Sequence, residues 1–255
     1  MKIGYFLLLI LVFMPAPTGA VSFGIVSDIH AGNKELVSNR EESWYYPAHY
    51  CENLDGVKKS GVDYILTLGD NTLNGKESEA EKIIRCLNGY NVIWTKGNHD
   101  KEVAWKYFNT PNYYSMSFGK WKLIVLDSSK KDPGGAGGFY GEQLLWLEKE
   151  LACSDNVVIA MHHNIFQYKP LFPNLSEIKT IFPSYPYSPI EILKTYPQHE
   201  AFKDMLDLSG KVRYVYFGHV HGRSSCYKVG EINYCSIPAL SLKGNEGYFS
   251  VLNLE

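Results

Sequence analysis

Asn98, His99 and Asp100 stand in a row three residues after the apolar-rich run 91–94, in the stretch "WTKGNHDK". An amide, an imidazole and a carboxylate in sequence are costly to bury unpaired, so a strand that ends on all three needs a use for them. Four other places repeat the pattern. Asp28 and His30 follow "IVS", Gly69-Asp70-Asn71 follow "ILTL", His162 and His163 follow "VVIAM", and Gly218-His219-Val220-His221 follow "YVYF". Any one of these reads blandly by itself: an Asp after a strand caps a turn, and His-x-His is more often a strand with solvated rings. Together they do not. Of eight histidines, six fall in these segments, leaving only His49 and His199 outside. Five unrelated turns would not collect metal-binding residue types so selectively, and the joint reading is a metal site.

The donor types narrow the metal. Carboxylate, amide and imidazole without a thiolate suit Zn, Fe, Mn, Co or Ni and exclude copper-thiolate and iron–sulfur chemistry. Asp28, His30, Asp70, Asn98, His162, His219 and His221 are too many donors for one catalytic ion with open positions and suitable for two divalent ions sharing a carboxylate. Two such ions against two carboxylates leave a charge of about +2, which attracts phosphate oxygens and favours hydroxide over water.

These residues need elements to carry them. Segments 22–28, 62–70 and 91–98 read as strands, separated by helices ending at Gly61 and Gly89. That alternation is the signature of a parallel α/β unit. A hairpin turning at Gly119-Lys120, an amphipathic helix over 140–153, a strand over 156–163 and a strand "RYVYFGH" after a last helix complete the frame. In open α/β sheets ligands bind outside the carboxyl ends of strands, which is where every candidate lies. "KDPGGAGGF" lacks the Lys and Ser/Thr of a P-loop and reads as a connection. Residues 164–199, rich in Pro and Tyr, form an excursion that begins at the site; its aromatics either contact substrate or pack the loop on the domain. His163 is open to a substrate contact or a structural role.

Composition fits one globular unit, with 45% hydrophobic and 20% charged residues. Residues 1–20, "MKIGYFLLLILVFMPAPTGA", have the basic start, short apolar core and small-residue end of a secretory signal peptide, leaving 21–255 as the domain. The apolar run is short for a membrane anchor, and no stable span is expected in the mature chain. Secreted, periplasmic or extracellular placement follows. Removing Lys2 changes the net charge from -2 to -3, with 24 basic against 27 acidic residues. That balance and the lack of a basic run give no reason to expect dedicated nucleic-acid binding. Export permits disulfides. Cys226 and Cys235 face each other across a hairpin turning at Val-Gly-Glu; Cys51 and Cys86, on the first two helices, are a second possible pair; Cys153 is left over.

Taken in order, Asp28-Ile29-His30, Gly69-Asp70, Gly97-Asn98-His99-Asp100, His162 and Gly218-His219-Val220-His221 resemble the signature of the calcineurin-like metallophosphoesterases. The resemblance runs from residue 22 to the last strands and implies an α/β sandwich of two mixed β-sheets flanked by helices. It implies that Asp28, His30 and His221 hold one metal, that Asn98, His162 and His219 hold the other, and that Asp70 bridges them. It makes His99 the non-ligand histidine that meets the scissile phosphate, with Asp100 orienting it. Where the family often has His-x-Pro, this chain reads His162-His163-Asn164, so the ligand register there stays open. Leu73 stands where purple acid phosphatases carry a tyrosine ligand, which makes the chain more similar to the cyclic-nucleotide phosphodiesterase and acid-sphingomyelinase-like branches. The expected activity is hydrolysis of phosphomono- or phosphodiester bonds of a small substrate by a hydroxide held between two metals, with His99 as proton donor to the leaving oxygen. A non-catalytic binding protein on the same scaffold is the reading from another class, and a nuclease the alternative within the enzymes. Retention of every motif donor favours the enzyme.

Overall fold

The structure, a computed structural model, describes residues 19–34, 37–38, 44–45, 47–129, 137–163, 201–222 and 224–255. The leader 1–18, the Gly-rich stretch up to 136 and the excursion 164–199 lie outside them. Strands β1 (Val21–Val26), β4 (Tyr64–Thr67), β5 (Val92–Ile93) and β12 (Ser250–Leu254) form one sheet in the order β12-β1-β4-β5. Strands β6 (Tyr114–Phe118), β7 (Trp121–Val125), β8 (Asn156–Ala160), β9 (Val212–Phe217), β10 (Ser225–Val229) and β11 (Ile232–Ser236) form the other, in the order β10-β11-β9-β8-β7-β6. A small ribbon pairs β2 (Val37–Ser38) with β3 (Trp44–Tyr45). Both large sheets are mixed. β1, β4 and β5 run parallel while β12 returns antiparallel to β1. β7, β8, β9 and β11 run parallel, with antiparallel β6 and β10 at the edges.

Period-two alternation divides the core. On β7 and β8, Leu123, Val125, Val158 and Ala160 face the first sheet and meet Phe23, Ile25 and Leu66 in a central layer. Ile124, Val157 and Ile159 face the other way, under helix α5 (Gly141–Ala152) and the helix 201–209. Val26 and Ile65 face outward from the first sheet, under α3 (Glu77–Cys86) through Ala80 and Ile83. The result is helix, sheet, sheet, helix. Among the described residues no helix is long and apolar enough to cross a membrane.

The expected helix ending at Gly61 is broken into a 3-10 turn (Pro47–His49), α1 (Tyr50–Asn53) and α2 (Asp55–Lys59). Leu54 is the shared cap, fully buried and still right-handed helical in its dihedrals. A short α4 (Glu102–Trp105) follows the Asn-His-Asp segment. Cys51 on α1 is bonded to Cys86 at the end of α3, and Cys226 to Cys235 across β10 and β11, where the two are register partners. Cys153 is free and exposed.

Candidate metal centre

Every candidate lies just past the carboxyl end of a strand. β1, β4 and β5 of the first sheet deliver Asp28 and His30, Asp70, and Asn98; β8 and β9 of the second deliver His162, His219 and His221. The loops are tied at the backbone. The amides of Asp28 and His30 donate to Gly69 O and Asp70 O (3.1 and 2.9 Å), and Gly218 N donates to His162 O (3.0 Å). Contacts also cross between the sheets: His219 N donates to Asp28 Oδ2 (3.0 Å), and His162 Nδ1 meets Leu68 O (2.8 Å). Ser27 Oγ donates to the same Asp28 oxygen, and His99 N donates to Asp70 Oδ1 (2.8 Å). Gly97 is there because of close approach: a Cβ on it would lie 2.2 Å from both Asp70 N and Asp70 Oδ1.

Two donor clusters result. In the first, His221 Nε2 is 2.9 Å from Asp28 Oδ1 and 3.3 Å from His30 Nε2, which is 3.9 Å from Asp70 Oδ2. In the second, His162 Nε2 is 3.1 Å from Asn98 Oδ1, 3.2 Å from His219 Nδ1 and 3.3 Å from Asp70 Oδ2. Asp70 Oδ2 therefore faces both. Metal–nitrogen bonds of ~2.0–2.1 Å at tetrahedral to octahedral angles place two ligand nitrogens roughly 2.8–3.4 Å apart. The paired imidazole nitrogens at 3.2 and 3.3 Å fall in that range, and the donors fit divalent ions. The Leu68 carbonyl takes the Nδ1–H of His162 and leaves its Nε2 for the cluster, the usual outer support of a histidine ligand.

Protonation tells the same story. Burial opposes charge on Asp28 and Asp70, but neighbouring imidazoles, His221 for the first and His162 for the second, hold both carboxyls well below their usual range. Burial likewise opposes charge on His162, yet Asp70 carries it up to about 9; His221 is raised by Asp28. Burial drives His30 down to about 3 and His219 to about 4. In each cluster a buried carboxylate held low thus faces a ring that it raises, His221 beside Asp28 and His162 beside Asp70.

His163 is buried next to the second cluster, but its Nδ1 lies 3.0 Å from Ser128 Oγ, which also accepts from the amides of His162 and His163. A hydroxyl that accepts twice has one hydrogen to give, so it donates to that Nδ1. Between the two histidines left open by the sequence, His162 is the one turned toward Asn98 and Asp70.

His99 is half-exposed, with Nε2 4.0 Å from Asp70 Oδ2 and Nδ1 2.6 Å from Leu73 O. This corrects the expected role of Asp100. Its Oδ2 accepts from the amides of Asn71 and Gly97 and from Asn71 Nδ2, and its Oδ1 from Thr72 N and Oγ1. Burial, with Asp70 nearby, raises its carboxyl to about 6. Asp100 splints the loop after β4; the carbonyl of Leu73 orients His99. Ser27 and Ser128 carry no spacing pattern that would have singled them out in the sequence, and Leu73 stood out there only as a missing tyrosine, since the role found here belongs to its backbone carbonyl.

Residues 21–223 match the family model of the calcineurin-like phosphoesterases. A protein of Vesicomyosocius okutanii named "Probable cyclic nucleotide phosphodiesterase" is 22% identical over 194 residues, covering 74% of this chain and 75% of that protein. Among solved structures, a dimetal phosphatase from Danio rerio superposes with a TM-score of 0.65 at 14% identity, covering 91% of both chains. A purple acid phosphatase from yellow lupin seeds gives 0.60 at 13% identity over 89% of this chain and 45% of the lupin chain.

Proposed function

The chain belongs to the calcineurin-like phosphoesterase family, and on that premise we propose that it is an exported, dinuclear metal-dependent hydrolase of small phosphomono- or phosphodiesters. The observation that carries the reading is the position of Asp70 Oδ2, 3.9 Å from His30 Nε2 and 3.3 Å from His162 Nε2, between two clusters of neutral and anionic donors. Asp28, His30 and His221 would hold one ion, Asn98, His162 and His219 the second, and Asp70 both. When bound, the ions supply Lewis acidity toward the phosphoryl oxygens and the attacking water. The protein's own part is then positional. Leu73 O takes the Nδ1–H of His99, which directs Nε2 to the Asp70 side. From there the ring, when doubly protonated, donates its Nε2–H to a phosphoryl oxygen and passes that proton to the leaving oxygen.

The relative named for cyclic nucleotides puts diesters first among substrates to try. The two disulfides fit an oxidising compartment and so support export. The test is a hydrolysis panel on the metal-reconstituted chain without residues 1–20: a mononucleotide, a cyclic nucleotide, an aryl phosphodiester and a phosphocholine lipid. Turnover of at least one, abolished by chelation and restored by Mn, Zn or Fe, is expected. No hydrolysis of any with two metals bound would overturn the reading.

A further inference from the structure

Helix α3 begins beside the site, and its third residue is a buried carboxylate with no place in the metal clusters. Glu79 is 2% exposed. Its Oε2 accepts from Asn74 N (2.8 Å) and Lys76 N (3.2 Å), and its Oε1 from Asn74 Nδ2 (2.9 Å). All three donors belong to one loop, 73–76. That loop supplies the Leu73 carbonyl that holds His99 Nδ1. It also lies flat against the turn carrying His99: a Cβ on Gly75 would sit 2.6 Å from Lys101 Cβ and 2.7 Å from His99 O. The far side is fixed by Leu73 N donating to Ala31 O (3.1 Å). The carbonyl thus has one backbone tether and one carboxylate anchor. A charged acceptor of three N–H groups is a strong anchor, because charge-assisted hydrogen bonds are about twice as strong as neutral ones.

We propose that Glu79 is a positioning residue for His99, acting through the loop Leu73–Lys76: it sets the Leu73 carbonyl that keeps the imidazole oriented with Nε2 toward the phosphate. The proposal rests on the phosphoesterase reading of the site for its kinetic consequence, but not for its structural one. The competing role is simpler. A glutamate at the third helical position closes the first turn of α3 and does nothing else.

The experiment compares Glu79→Gln and Glu79→Ala with wild type and His99→Ala, all metal-loaded, on an alkyl and a nitrophenyl phosphodiester. The imidazole nitrogens of His99 are followed by NMR. Glu79→Gln keeps the volume of the buried side chain, and Asn74→Ala, at an exposed position, weakens the same anchor should both Glu79 variants fail to fold. Positioning predicts a loss of roughly 10-fold or more on the alkyl ester, little on the nitrophenyl ester, and two metals retained. It predicts no added loss in the His99→Ala background, since residues acting as one unit are non-additive. It also predicts a His99 Nδ1 resonance that moves toward a mixed tautomer. Equal slowing of both esters, full additivity with His99→Ala, or an unchanged His99 spectrum would each overturn it. If wild type hydrolyses no ester, the functional reading fails, and the His99 spectrum alone still decides whether Glu79 holds the ring.

Discussion

Asp28, His30, Asp70, His219 and His221 all have positive φ, between 48 and 70°. Residues with a Cβ rarely adopt this left-handed region, at a cost of order 1–3 kcal/mol each, and such strain gathers where the surroundings over-determine a functional geometry. Asp and His tolerate the region better than most, which suits these residue types to sharp turns that aim a side chain back at the strand end. The aim depends on neighbours one atom away. Gly97→Ala should therefore push Asp70 aside, drop at least one metal by elemental analysis, and lower turnover by at least about 10²-fold while the chain still folds. A variant that keeps both metals and its rate would refute the close-approach argument. Asp70→Asn keeps the shape and removes the shared charge. Metal content should fall from two ions to at most one, with most activity lost; two tightly bound ions and full turnover would defeat the dinuclear scheme. His99→Ala should leave both ions in place and cost about 3–5 kcal/mol in the barrier for a poor leaving group, from the usual 10²–10⁴-fold of general acid catalysis. A nitrophenyl ester, needing little protonation, should lose much less. Equal losses on both, or a lost metal, would make His99 a phosphate clamp or a ligand instead.

Between residues and fold stand the strands and the links that hold them. The alternation of strands and helices over the first hundred residues was legible because burial imposes a period, and the site was legible because metal donors clustered at the ends of those periods. Less was visible elsewhere for physical reasons. Nothing local in "SVLNL" says that β12 returns to pair antiparallel with β1, since that pairing joins the two ends of the domain. The interruption between α1 and α2 at Leu54 has no breaker residue to announce it, and Leu54 itself keeps right-handed helical dihedrals. Gln143 on α5 accepts from Asp127 N and donates to Asp127 O, holding the turn that carries Ser128, yet a lone Gln on a helix face has no signature. Disulfides tie elements too. The Cys51–Cys86 link closes 35 residues and joins α1 to α3, whereas Cys226–Cys235 closes 9 within one hairpin. On chain entropy alone, removing the first by a double Cys→Ala change should cost about 4 kcal/mol and removing the second about 3. Urea unfolding of the two variants checks the order, and alkylation without reductant checks that four of the five cysteines are blocked.

On the scale of the whole molecule the centre lies on the seam of the sandwich. Asp28, His30, Asp70 and Asn98 come from one sheet, and His162, His219 and His221 from the other. The direct ties across that seam at the site include His219 N to Asp28 Oδ2, His162 Nδ1 to Leu68 O and His221 Nε2 to Asp28 Oδ1. Metal ions there would cross-link the two sheets, so binding is linked to global stability rather than to a local loop. An ion present at 100 times its dissociation constant adds about 2.7 kcal/mol. For a chain of this size 1 kcal/mol moves the melting temperature by about 2–4 °C, so loading one such site should raise it by roughly 5–11 °C. Without metal the balance reverses. Two carboxylates buried to 0% and 1% exposure then have only the neighbouring imidazoles to offset their charge, which is a poor substitute for well-packed neutral groups. Asp70→Asn removes one of those charges. It should melt no lower than wild type in the presence of chelator, and should gain less than wild type when metal is added. Scanning calorimetry of both proteins, with and without chelator, gives the four numbers needed. A wild-type melting temperature indifferent to chelator, or an Asp70→Asn protein that gains as much from metal as wild type, would mean that the ions do not join the two sheets through Asp70.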